Sequence, residues 1–166
     1  MRTPARVAHH PVHPMLVGIP IGLWVFSFAC DLVFLVTKAP AWNVTACYAL
    51  GGGIVGAAAA AFPGLMDGLY LRKSPIFRTV LLHVALNLFA LLMFAMSFLS
   101  RLIQTPFSWS LALSVLGLFP LAFGGWLGGE LVFVHGVGVE PQADRQHSVA
   151  RPGSDDQQRR SVPRTA

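Results

Sequence analysis

Charge is what this sequence has least of. Lys, Arg, Asp and Glu make up 11% of its 166 residues, against about 25% in ordinary soluble domains. Apolar residues make up 54%, and the mean hydropathy is +0.60. That balance excludes a soluble or disordered chain and fits one compact membrane domain. Cysteine is scarce too. Cys30 and Cys47 are the two present, spaced too far apart for a CxxC pair and giving no zinc pattern, and they are expected as free, buried thiols. No P-loop, dinucleotide fingerprint or nucleophile–base motif occurs, so no catalytic activity of its own is expected. The net charge of +5 would suggest nucleic acid in a soluble protein. Here the basic residues fall in connecting segments and the tail, where membrane topology and anionic lipid account for them, and nucleic acid is not expected as a partner.

What is present is a series of four apolar runs. About 20 residues cross a bilayer as a helix, and the runs predict spans at 15–36, 44–66, 76–99 and 109–134. The expected fold is all-α: a bundle of four transmembrane helices within residues 1–139. A disordered tail is expected at 140–166, where Gln, Asp, Arg, Ser and Pro mix without apolar periodicity. The first run follows Arg2 and Arg6 but is too long for a signal-peptide core, so it is read as an uncleaved span. Segments 38–43, 69–75 and 101–108 are read as the turns between spans, with Trp42 as an interfacial anchor.

An even number of spans puts both termini on one side. Ten basic residues fall on that side: Arg2, Arg6, Arg72, Lys73, Arg78 and five in the tail. Lys38 and Arg101 fall on the other. The positive-inside rule therefore predicts both termini in the cytoplasm.

The polar residues inside the runs are unevenly spread. His13 opens the first span, Asp67 closes the second, and Glu130 and His135 close the fourth. In the third, His83 and Asn87 are four apart and share a helix face. The other half of the bilayer is expected to hold only Asp31. An ionisable group at bilayer depth must face protein, water or a ligand. His13, Asp67, His83, Glu130 and His135 are therefore expected around one cavity at the cytoplasmic end, with His83, His135, Asn87 or Arg78 within hydrogen-bond reach of Glu130. Each also has a plainer reading, as a helix cap, a terminal ion pair or interhelical glue. Gly52, Gly56 and Gly64 in the second span and Gly124 and Gly128 in the fourth recur at multiples of four, which predicts close-packing faces.

These residues carry a resemblance. The stretch from His13-Pro14-Met15-Leu16-Val17-Gly18-Ile19-Pro20 through Leu23 resembles the opening motif of a bacterial membrane family, the domain of unknown function 2231. So do Gly64-Leu65-Met66-Asp67, then His83-Val84-Ala85-Leu86-Asn87, then Leu127-Gly128-Gly129-Glu130-Leu131-Val132 and His135-Gly136-Val137-Gly138-Val139. The resemblance covers about residues 9–139. The chain departs from the family pattern at Gly18, often His there, at Ile19, usually Phe, and at Phe133-Val134, usually Tyr-Arg. The resemblance implies a four-helix domain of the bacterial inner membrane, sometimes joined to Rieske-type iron–sulfur domains, and no established activity.

Three functions are compatible with the residues. In the first, His13, His83 and His135 are ligands of b-type haem or another metal, since imidazole suits iron. Asp67, Asn87 and Glu130 would then support them from behind. The lipid bilayer is a partner in every case, and a redox partner such as an iron–sulfur protein belongs to this reading. In the second, the same groups form a proton, ion or small-molecule pathway. In the third, the chain is a structural or partner-binding subunit whose polar residues lock the bundle.

Overall fold

The computed structural model describes residues 3–7 and 10–139. The expected tail at 140–166 lies outside the described residues, as do Arg2 and His9. The chain opens with a two-residue hairpin, β1 (Arg6–Val7) against β2 (His10–Pro11), antiparallel. Helices then carry it to the end: α1 (Val12–Leu16), α2 (Gly18–Thr37), α3 (Pro40–Tyr70), α4 (Phe77–Leu102) and α5 (Phe107–Gly129). A 3-10 turn (Leu71–Lys73) follows α3, and a π-helical turn (Glu130–Val134) follows α5.

Four helices are long and apolar enough to cross a membrane: Val12–Thr37, Pro40–Lys73, Phe77–Leu102 and Phe107–Val134. The first combines α1 and α2 with a hitch at Val17, where Pro20 has no N–H to return to the preceding turn. The helices run further than the apolar runs suggest. The expected turn at 38–43 shrinks to Lys38 and Ala39, and Trp42 and Asn43 are already in α3. Segment 69–75 begins inside α3, and Arg101 is not in a turn but in the last turn of α4. The hairpin turns share one design. Lys38 and Gln104 take the left-handed conformation, with φ of 56° and 57°. Two residues later comes a proline: Pro40 is the first residue of α3, where no N–H is needed, and Pro106 is the N-cap residue just before α5.

Packing follows the connectivity. α2 lies along α3 and α4 along α5, and α3–α4 and α5–α2 close the square, so α2 and α4 face each other across its diagonal. In the middle Trp24 stacks on Phe94, centroids 4.5 Å apart, within a core completed by Leu50, Ala90 and Leu121. A second apolar cluster, Leu71, Val80 and Leu131, seals one end. At that end Arg6 Nη2 donates to the Gly138 carbonyl at 2.8 Å, so the two ends of the described chain meet there. That turn needs Gly138: its φ is +78°, and a Cβ would press on Pro11. Below, this is the terminal end, and the end carrying the two proline turns is the loop end.

Candidate functional site

Two histidines meet at the terminal end. His13 in α1 and His83 in α4 lie with ring centroids 6.2 Å apart and planes at 89°. Both are half-buried. His13 Nδ1 is 2.7 Å from the Ala60 carbonyl, and His83 Nδ1 is 2.9 Å from the Gly124 carbonyl. A carbonyl only accepts, so Nδ1 is the donor in both rings. In the neutral ring this leaves Nε2 with its lone pair, and among the described residues neither Nε2 has a hydrogen-bond partner. Asn87 Nδ2 donates to the His83 carbonyl at 2.8 Å. It also stands 3.3 Å from His83 Nδ1, but that nitrogen already carries the proton given to Gly124, so this is contact rather than donation.

The glycines make room for these rings. A Cβ on Gly64 would collide with the His13 imidazole, one on Gly128 would press on His83, and one on Gly124 would collide with Asn87. Gly52 faces Leu23, and Gly56 faces Ile19 and Pro20. The small-residue stripes thus receive side chains from neighbouring helices.

The other polar residues of this end sit apart. Asp67 is buried, and its Oδ1 accepts the backbone N–H of Ala5 at 2.9 Å, holding down the N-terminal hairpin. Glu130 and His135 pair with each other. His135 N–H donates to the Glu130 carbonyl, the five-residue bond of a π turn. An α-helix would put residue i+5 about 140° round the axis; the wider turn brings His135 Nε2 to 3.6 Å from Glu130 Oε1. Their side chains remain 30% and 38% exposed. Glu130 therefore gains an ion-pair neighbour just beyond hydrogen-bond distance. Among the described residues no group of three His, Cys, Asp or Glu side chains could hold a metal ion.

The loop end holds what the sequence did not announce. Arg101 Nη2 bonds Asp31 Oδ2 at 2.6 Å, with side chains 4% and 0% exposed, and Nη1 bonds Asn43 Oδ1 at 2.7 Å. Arg101 Nε and Asp31 Oδ1 are buried without a partner among the described residues. Beside them Ser97 donates to the Ser110 carbonyl and bonds Ser114, while Ser100 bonds Ser110. A recess of about 210 Å³ opens over Asn43, Arg101, Gln104, Thr105, Phe107 and Ser110. Buried polar groups are thus found at both ends of the bundle, not mainly at the terminal one as the count of charges in the runs implied. Reading Arg101 as a turn residue hid its bond to Asp31. Cys30 and Cys47 are free thiols.

The model of a family described as predicted membrane proteins, DUF2231, matches residues 9–141. The chain belongs to this family. The match spans all four long helices, the histidine pair and the π turn, so the DUF2231 domain is the bundle described above. No curated protein and no solved structure matches the chain.

Proposed function

We propose that this DUF2231 protein is a membrane component that takes a transition-metal centre at the His13–His83 pair, as a haem iron or a bare ion. The observation that carries the reading is the state of the two rings. Each has its Nδ1–H tied to a helix carbonyl and its Nε2 unengaged among the described residues. Metal-binding imidazoles are oriented in this way, the second nitrogen held by a backbone carbonyl or carboxylate. The 6.2 Å between centroids is also close to the reach of an imidazole–metal–imidazole unit, roughly 6 Å with metal–nitrogen bonds of about 2 Å. Two protein ligands are fewer than a dedicated zinc site uses. Haem, which supplies four nitrogens of its own, would need no more protein ligands than His13 and His83. His135, held beside Glu130, stands outside this pair. A haem centre would make the protein an electron carrier, with a redox protein such as an iron–sulfur protein as its partner. The proton-relay reading is weaker, because Asp67 is held by Ala5 and Glu130 lies beside His135 rather than at the histidine pair.

The setting of the centre is the bacterial inner membrane with the terminal end in the cytoplasm, on the ten-to-two division of basic residues. Reporter fusions at either terminus should then both read cytoplasmic, and a periplasmic signal at either one reverses the orientation. For the centre, the full-length protein is purified after growth with iron, copper, zinc and a haem precursor, and its absorbance and metal content are measured. A Soret band identifies haem; bound metal without that band identifies an ion. Either should disappear in His13→Ala and in His83→Ala while the chain still inserts. Wild-type protein with neither signal overturns the proposal.

A further inference from the structure

The two hairpins, α1–α3 and α4–α5, repeat a series of contacts. His13 gives its Nδ1–H to Ala60 and rests on Gly64; His83 gives its own to Gly124 and rests on Gly128. Eleven residues on from each histidine comes an aromatic ring. Trp24 lies against Gly53, and Phe94 against Gly117. Three residues further comes a serine that crosses to its partner helix. Ser27 donates to the Ala46 carbonyl and Ser97 to the Ser110 carbonyl. The numbering shift is constant: 70 between the first helices of the hairpins, as for Asp31 and Arg101, and 64 between the second, as for Gly53 and Gly117 or Gly64 and Gly128. The difference of six lies in the lengths of the two turns and the helix ends around them.

A residue can touch its own equivalent only on the axis that relates the copies. Three pairs do so, one above another: His13 with His83, Trp24 with Phe94, and Asp31 with Arg101. α2 and α4 run in the same direction across the diagonal, so the axis runs along the bundle. Parallel repeats about such an axis are a recurring membrane-protein design, in which one repeat moves against the other around a site at their interface.

We infer that the chain is a tandem of one helical hairpin about a two-fold axis along the bundle, and that the Asp31–Arg101 bond is a latch closing the two copies together at the loop end. The axial contacts differ in kind. The histidines make only a ring contact and the aromatics only a stack. At the third level the equivalent positions carry opposite charges and form a direct bond, both side chains buried. Arg101 also reaches Asn43 on the other hairpin, so among the described residues it supplies both side-chain bonds that tie the hairpins at this end. This inference does not depend on the metal reading.

Cys30, 1% exposed and adjacent to Asp31, is a built-in reporter. The full-length chain carrying Cys47→Ser would be treated with a membrane-impermeant maleimide in native membranes, with helix content and cooperative melting followed after solubilisation. Cys30 should stay unlabelled with the latch intact and react at least about tenfold faster in Asp31→Asn or Arg101→Gln that retain a cooperative melt. The decisive variant exchanges the charges. Because positions 31 and 101 are equivalent, Asp31→Arg with Arg101→Asp should restore protection. Phe107→Asn is added because residue 107 is the equivalent of Asn43. Single variants that leave Cys30 protected, or an exchanged chain that labels as fast as they do or fails to insert, overturn the inference.

Discussion

At the loop end, Ser97, Ser100, Ser110 and Ser114 bond one another and the α5 backbone, and Arg101 bonds Asp31 and Asn43. At the terminal end, His13 and His83 each engage one ring nitrogen and keep the other. Both ends are polar, yet one commits nearly all its hydrogen bonds to holding helices together and the other keeps lone pairs in hand. In lipid, a buried polar group without a partner is costly, so committed groups mark architecture. Groups held in place but left with a spare nitrogen mark a place where something can bind. The contrast also corrects the weight given to charge. The carboxylate at the loop end, Asp31, is the fully buried one, whereas Glu130 at the terminal end is over a third exposed.

The largest expected effect breaks the loop end. Arg101→Leu strands Asp31, buried six residues or roughly 9 Å inside the end of α2. Removing one partner of a buried ion pair costs about 3–5 kcal/mol, while replacing both by apolar residues is often close to neutral. Unfolding in mixed micelles should show that loss for Arg101→Leu and recovery of most of it in Asp31→Leu with Arg101→Leu. A cost below about 1 kcal/mol for the single variant would mean that the loop end is no structural lock, and the contrast between the ends would go with it.

How much of this was legible follows from which interactions are local. Four apolar runs give four helices, because length and hydropathy alone decide that. The glycines at 64, 124 and 128 were legible as places of close approach, though not as the floors on which His13, Asn87 and His83 rest. Helix ends were misjudged where polar residues continue a helix: Asn43 and Arg101 read as turn and proved helical. Partners 70 residues apart, such as Asp31 and Arg101, leave no local trace. The repeat does leave one. His13 precedes Ser27-Phe28 by the same interval as His83 precedes Ser97-Phe98, but so few identities among apolar residues stand out only once the contacts align them. The π turn has no sequence signal that we recognise.

A middle-sized effect tests the layer between the ends. A Cβ at Gly53 would overlap the Trp24 indole, which has no open side because it stacks on Phe94. Overpacking of this kind costs about 1–3 kcal/mol, and thermal melts should show it for Gly53→Ala. A methyl group at Gly18 on α2 would have nothing within 4 Å, so Gly18→Ala should leave the melt unchanged. Equal melts for the two variants would mean that the core yields at Trp24 and does not hold the hairpins in register.

The smallest effect belongs to Glu130, the residue that a reading by charge alone would rank first. Its side chain is 38% exposed, and its ion-pair neighbour, His135, stands at 3.6 Å and is itself 30% exposed. A pair this open and this long contributes little. The π turn does not depend on the carboxylate either, since its closing bond runs from the His135 N–H to the Glu130 backbone carbonyl. Glu130→Gln keeps the shape and removes the charge. It should leave the melting temperature where it was. Any haem or metal bound by the wild-type protein should also remain, in contrast to His83→Ala, which removes a ring held at Gly124 with its Nε2 to spare. The two variants measured side by side, by absorbance and metal content, decide whether the terminal end is one cluster or two. If Glu130→Gln strips the centre as His83→Ala does, the carboxylate acts together with the histidine pair. The distinction between nitrogens kept in hand and charges merely at the rim would then fail at the end where it matters.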